Sequence, residues 1–244
     1  MITESILEEK CIALQKRLNC GIRYNRTRIP RPFFVEITGT PSAGKTTVIT
    51  KLDTFFKRKG FRVLCPQEGA QAIRHIERTT PLYSIRTALY ALPILINLSQ
   101  GHLYDIVIFD RCLFDSYCWM PYWVDKKQMT KEEAELYQKF FLLHFFARYL
   151  DAVYFMVCNP AIAIAREHKT SLTKEPGRTT NPKTLQELKE YHECAYRKLS
   201  QQFPHLYLFD STYYSEQQMV AAIGNQLIEI FYAKTFLNPI EDTT

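Results

Sequence analysis

Lys45 and Thr46 close a run, Gly39-Thr40-Pro41-Ser42-Ala43-Gly44-Lys45-Thr46-Thr47, whose residue types and spacing suit one kind of chemistry. Two glycines separated by four residues, then a lysine and a hydroxyl, fit the pattern G-x-x-x-x-G-K-S/T. In that pattern backbone N–H groups cradle phosphate, the lysine adds a positive point charge and the hydroxyl binds Mg²⁺. The apolar run Phe33-Phe34-Val35-Glu36-Ile37 precedes it and suits a buried strand. Residues 45–57 follow it, with Val48, Ile49, Leu52, Phe55 and Phe56 at helical spacing. A strand, a glycine turn and a helix in that order put the loop amides at the positive end of the helix. Gly39, Ser42, Ala43, Gly44, Lys45, Thr46 and Thr47 are therefore expected to hold the phosphates of a nucleotide, with Thr46 also a metal ligand.

Further residues could complete such a site. Ile106-Val107-Ile108-Phe109 runs into Asp110, and a strand lying beside the loop strand would deliver that carboxylate to Mg²⁺. Arg111, at the C-terminal mouth of the same strand, faces the crevice where α/β ligands bind and suits phosphate, or else it pairs with Asp115. Glu68, just past the second strand, can accept a hydroxyl proton or steer a metal-bound water; the alternative is a solvated loop glutamate. Arg74, two turns into the expected next helix, could meet an acceptor anion or pair with Glu77 or Glu68. Between Arg166 and Arg178 lie Lys169, Lys174 and Pro176-Gly177, a positive, breakable stretch that reads as a lid or as a basic surface loop. Asp210-Ser211-Thr212 ends the last strand in a loop expected to border the nucleotide base, where Tyr213 and Tyr214 could stack or simply pack.

The elements that must position these residues alternate along the chain. Strands are expected at 33–37, 61–64, 104–109, 153–157 and 206–209. Helices are expected at 45–57, 69–79, 82–99 with a bend near Pro93, 113–123, 131–149, 160–166, 184–202 and 216–233. Such alternation predicts a parallel sheet covered by helices on both faces. Ahead of it, residues 3–18 carry Leu7, Cys11, Leu14 and Leu18 on one helical stripe, ended by Asn19-Cys20-Gly21. An isolated helix of that length is marginal in water, so the stripe must pack somewhere. It is expected to be an interaction element for a second copy or another protein, with completion of the core as the rival. The basic linker that follows, with Arg23, Arg26, Arg28 and Arg31, reads as a solvated connector or an anion-binding arm.

Composition excludes several classes. At 244 residues and 46% hydrophobic, the chain can bury a real core and is not mainly disordered. No run is long and apolar enough to span a bilayer; Phe140 to Phe146 is short and broken by His144. The first residues lack the basic start and apolar core of a secretory leader. Seven scattered cysteines without a C-x-x-C pair read as reduced thiols, so a cytoplasmic location is expected. A net charge of +6 suits anionic substrates without arguing for nucleic acid.

Together, Gly39 to Thr47, Gln67-Glu68-Gly69, Asp110-Arg111, the Arg166–Arg178 stretch and Asp210-Ser211-Thr212 resemble the thymidylate-kinase and deoxynucleoside-kinase branch of the P-loop kinases, across roughly residues 33–233. The resemblance implies an α/β, three-layer P-loop NTPase sandwich with a mostly parallel five-stranded sheet, here with an N-terminal helical extension. It implies three parts: residues 1–32 as helix and linker, 33–233 as the kinase-like domain with a lid at about 166–182, and 234–244 as a tail. It also implies Lys45, Glu68, Asp110, Arg111, Arg166 and Arg178 as catalytic groups, with Glu68 as base and the lid arginines clamping the donor. Asp210 and the loop residues would then bind ATP, and Thr46 and Asp110 Mg²⁺. The chain departs from the group at Gly69, where proline is usual, in its N-terminal extension, and in the aromatic set Tyr117, Trp119, Tyr122 and Trp123 on the acceptor-side helix. The expected activity is transfer of the γ-phosphoryl of MgATP to a nucleoside, nucleotide or similar metabolite. The alternatives are a partner-regulated ATPase switch and a nucleic-acid end kinase.

Overall fold

The computed structural model describes residues 8–16, 18, 31–170 and 180–236. Strand β1 (Phe33–Gly39) is buried along its whole length, and its alternating side chains feed two separate cores. Phe33, Val35 and Ile37 point to one face of the sheet, and Phe34 to the other. Around β1 lie β2 (Val63–Leu64), β3 (Ile106–Asp110), β4 (Leu150–Val157) and β5 (Leu206–Asp210). The five strands run in the order β2-β3-β1-β4-β5, and every pairing is parallel. A wholly parallel sheet needs cover on both faces, and its apolar strands supply the reason.

Helix α1 (8–16 and 18), α2 (Lys45–Arg58) and α10 (Glu216–Phe236) cover one face. The other is covered by α4 (Pro81–Leu98), α5 (Leu113–Asp125) and α9 (Pro182–Leu199). Short α3 (Gly69–Ala72) and α7 (His144–Ala147), with α6 (Lys131–Phe141) and α8 (Pro160–Thr170), complete the set. This is the expected α/β sandwich with an N-terminal helix. The described cysteines are all free thiols, and no described helix is long and apolar enough to cross a membrane.

Three expectations change. The helix expected over 69–79 stops after one turn at Ala72, so Arg74 sits outside it and donates to the Gln71 carbonyl at 3.2 Å. The helix expected over 131–149 splits at Leu142–Leu143, and β4 starts at Leu150 rather than 153. Asp151 can lie inside that buried strand because its carboxylate is fully used. It accepts from Phe34 N at 2.8 Å, Arg31 Nη1 at 2.7 Å and Lys234 Nζ at 2.6 Å. Arg31, read as part of a solvated connector or an anion-binding arm, is thereby committed within the chain, while Arg23, Arg26 and Arg28 lie outside the described residues. Pro93 lies inside α4, as expected.

The third change concerns α1. Cys11, Leu14 and Leu18 are buried in the same core as β1, α2 and α10, and Leu7 lies outside the described residues. Lys10 pairs with Glu229 of α10, and Glu8 with Lys59 beyond α2. The stripe read as an interaction surface is closed over by the chain's own core. Deleting residues 1–20 is therefore expected to lower the melting temperature by about 5 °C or more. Burying each leucine contributes about 1.5–3 kcal/mol before the cost of ordering the helix, and 1 kcal/mol moves a domain of this size by about 2–4 °C. A thermal melt of the truncated chain checks it; an unchanged midpoint would mean that α1 adds nothing to the core.

Candidate active site

The phosphate loop is built by the end of β1 and the start of α2. Gly39 has φ +138°, and a Cβ there would lie 1.8 Å from the Met156 carbonyl oxygen, so the neighbouring strand admits only glycine. Gly44 caps α2 in the left-handed region at φ +95°. No side chain caps the helix and its first turn carries no acid, which leaves its amides free for an anion. Ala43 is buried under the loop, Ser42 holds φ +56°, and Thr47 lies half-buried beyond Thr46. The Lys45 side chain is buried and its ammonium donates to the Gly39 carbonyl at 3.0 Å and that of Thr40 at 2.8 Å. Burial, then the nearby Arg111 charge, lowers its pKa to about 8.

The strand order brings Asp110 to the same place. Asp110 is paired in register with Ile37, and its Oδ2 accepts from Thr46 Oγ1 at 3.2 Å. Its buried Oδ1 has no hydrogen-bond partner. A carboxylate oxygen left open beside a threonine hydroxyl fits a hard divalent cation, which takes oxygen ligands and keeps its waters. Among the described residues, no three His, Cys, Asp or Glu side chains gather into a protein-only metal cage. One carboxylate and one hydroxyl suit a cation that shares its shell with phosphate.

Arg111 turns away from Asp110 with φ +68°, a left-handed conformation held by its N–H donating to the Ile37 carbonyl at 3.1 Å. Its Nε lies 3.2 Å from Glu68 Oε1 and its Nη1 3.6 Å from Asp115 Oδ2. Both readings of Arg111 meet here: it pairs with Asp115 and faces the crevice. Burial works against its charge, but Asp115, Glu68 and Asp110 hold the guanidinium protonated. Burial also pushes the Glu68 carboxyl up, outweighing the pull of Arg111.

Glu68, Arg111 and Asp115 line a 590 Å³ cavity between the α3–α4 segment and α5. Tyr83, Trp119 and Trp123 line its walls, and Arg78, Lys126 and Gln128 its exposed mouth. The wall is cross-linked: Trp123 Nε1 donates to Ser84 Oγ at 3.0 Å and its ring meets Tyr122 edge-on at 4.9 Å. Asp115 entered the sequence reading only as a partner for Arg111, and Tyr83 and Ser84 not at all. Their signal would have been polar residues on the buried faces of α4 and α5.

The remaining expected residues fall on the far side of the loop. From α8, Arg166 donates to Ser211 Oγ at 3.0 Å and to the carbonyls of Ser211 and Tyr214 at 2.8 and 3.2 Å. Through these bonds it ties down the loop after β5. Its neighbour Glu167 accepts from Ser42 Oγ at 2.5 Å. Asp210 caps the Thr212 amide at 2.9 Å and lies 3.6 Å from Lys189. Burial opposes its charge, but Thr212 and Lys189 hold its carboxyl below the usual range. Tyr214 packs on Phe209 at 4.9 Å and Tyr213 is 94% exposed. Lys174 and Arg178 lie outside the described residues.

The sequence model of a family described as an AAA domain matches residues 34–206, well over half of the chain. The chain belongs to that AAA-domain family. No curated protein sequence matches it. Among solved structures, this AAA-domain chain is similar to deoxyadenosine kinase from M. mycoides with bound dCTP. That match has a TM-score of 0.56 and 19% identity, covering 81% of this chain and 100% of the kinase. The same enzyme with bound dATP matches with a TM-score of 0.54 and 20% identity, over 80% of this chain and 98% of that one. The likeness is one of fold, and it bears out the expected deoxynucleoside-kinase-like P-loop architecture.

Proposed function

We propose that the chain is a P-loop phosphotransferase that moves the γ-phosphoryl of ATP to a hydroxyl of a nucleoside or similarly sized metabolite. The observation that carries this reading is the 590 Å³ cavity lined by Glu68 and Arg111 together with Pro41 of the phosphate loop. Its volume suits a small molecule. A nucleoside comes first among acceptors because the fold is shared with structures titled deoxyadenosine kinase.

In this reading the loop amides and Lys45 hold the donor phosphates. Thr46 and Asp110 would hold Mg²⁺, which when bound offsets charge on the transferring group. Glu68 accepts the proton of the acceptor hydroxyl as the new O–P bond forms. The bond from the γ-phosphorus to the bridging oxygen breaks, and ADP leaves. Arg111 steadies the equatorial oxygens. Arg166 contributes by fixing the loop after β5, and Asp210 by shaping it. That loop leads into α10, whose Met219 thioether reaches Gly44, with Cε 3.0 Å from where a Cβ would stand there. A cytoplasmic setting, with its supply of MgATP, belongs to the same proposal. The partner-regulated switch loses its main support, since the stripe that suggested a partner lies in the core.

Acceptor-dependent ADP release across a nucleoside and nucleotide panel tests the reading. ATP hydrolysis that no acceptor stimulates would overturn it. With a working acceptor, Glu68→Gln is expected to slow transfer about 10²-fold while ATP binding stays intact. A full rate in this variant would remove Glu68 as the base.

A further inference from the structure

Glu36 is a carboxylate in the middle of the central strand, fully buried, between Phe109 of β3 and Val153 of β4. An unpaired charge there would be costly. Its oxygens are instead used on the start of α5: Oε1 accepts from Cys112 N at 2.9 Å and Asp115 N at 2.9 Å, and Oε2 from Phe114 N at 3.1 Å. Helix α5 has no side-chain cap of its own, because Cys112 stands at the N-cap without a cap hydrogen bond. A serine or aspartate at position 112 would satisfy those amides locally. Here they are satisfied from a different element.

Two residues on, and so on the same face of β1, Thr38 donates to Asp115 Oδ1 at 2.6 Å. The other oxygen of Asp115 faces Arg111. Glu36 and Thr38 therefore hold the 112–115 end of the turn, while Ile37 between them pairs with Asp110 and accepts from the Arg111 N–H, and all three lie on the strand that ends in Gly39 of the phosphate loop.

We propose that Glu36 is a positioning residue. With Thr38 it locks the turn carrying Asp110 and Arg111, and the Asp115 carboxylate, to the strand that feeds the phosphate loop, so that the acceptor cavity and the phosphate site keep one geometry. The kinetic part of this inference rests on the phosphotransfer reading; the structural part does not.

The test uses the full chain with Glu36→Gln, Arg111→Ala and the double variant. Glu36→Gln keeps size and polarity but presents an amide N–H to donors. Binding of a non-hydrolysable ATP analogue should hold, while acceptor-dependent kcat/KM falls about 10²-fold, as expected of a sub-ångström to ångström displacement at a reacting group. In the Arg111→Ala background the same change should cost clearly less than it does alone, because part of what Glu36 holds in place is then already lost. A loss in analogue binding as large as the loss in kcat/KM, or additive losses in the double variant, would overturn the proposal. If Glu36→Gln does not fold, Thr38→Val takes its place with an expected loss of about tenfold and the same non-additivity. If the wild type transfers to no acceptor, the kinase reading fails by itself. Amide exchange then decides: faster exchange confined to 112–115 in Glu36→Gln, or in Thr38→Val if the former does not fold, supports the lock. Unchanged exchange there sinks it.

Discussion

Lys45→Ala is expected to reduce ATP turnover about 10³-fold or more, as for loss of a preorganised charge at a reacting phosphate, in a protein that melts close to the wild type. The lysine spans the loop, donating to two of its carbonyls, and is buried among Arg111, Asp110, Asp115 and Glu68. It belongs to neither hydrophobic core. Its removal takes charge from the phosphates without opening an apolar void. The same burial that confines it lowers its pKa to about 8, so a pH effect follows. Phosphate binds the charged ammonium; a group whose pKa in the free protein is lowered gives up its proton earlier. ATP affinity should therefore be full below that pKa and weaken as pH rises through about 8, well before an ordinary lysine would titrate. Lys45→Ala should abolish that dependence. An ATP titration across pH 6.5–9.5 with both proteins checks it (an order-of-magnitude window set by the lysine pKa range). Wild-type turnover in the folded variant would remove the central claim.

The phosphate loop was legible because its chemistry is local. Gly39, Gly44, Lys45 and Thr46 lie within eight residues, and each has a conformational or charge requirement that few residue types meet. Asp110 was legible for a related reason: an apolar strand that ends in an acid exposes that acid at the sheet's edge. The acceptor side was harder. Glu68, Arg111 and Asp115 converge from three segments, and Glu36 meets α5 across 76 residues. Nothing in Phe33-Phe34-Val35-Glu36-Ile37 says which helix will approach the glutamate; only its charge in an apolar run marks it. The N-terminal stripe showed the same limit. Periodicity reveals that Cys11, Leu14 and Leu18 share a face, but not that α2 and α10 leave a place for it. The split at Leu142–Leu143 is a tertiary effect as well, since Leu150 joins the sheet early once Asp151 is neutralised by Arg31 and Lys234.

Asp110→Asn should reduce Mg²⁺-dependent turnover about 10²–10³-fold, the scale for losing one preorganised electrostatic group at a transferring phosphoryl, and leave metal-free nucleotide binding nearly unchanged. The substitution is isosteric, so β3 and its pairing with β1 persist; only the charge and one acceptor change. In the wild type one carboxylate oxygen accepts from Thr46 and the other is buried without a partner. An unpartnered buried oxygen is a cost that folding alone does not explain. If the carboxylate is kept for a cation, removing its charge should leave the melting temperature equal or higher in the absence of metal. Mg²⁺ should then no longer tighten ATP binding as it does in the wild type. If Asp110 instead serves to hold Arg111 and Lys45 in place, the variant should lose stability without metal, and nucleotide affinity should fall equally with and without Mg²⁺. Melts and ATP titrations, each with and without Mg²⁺, separate the two. A destabilised variant with an undiminished response to Mg²⁺ would take Asp110 out of the metal site and leave Thr46 without its partner there.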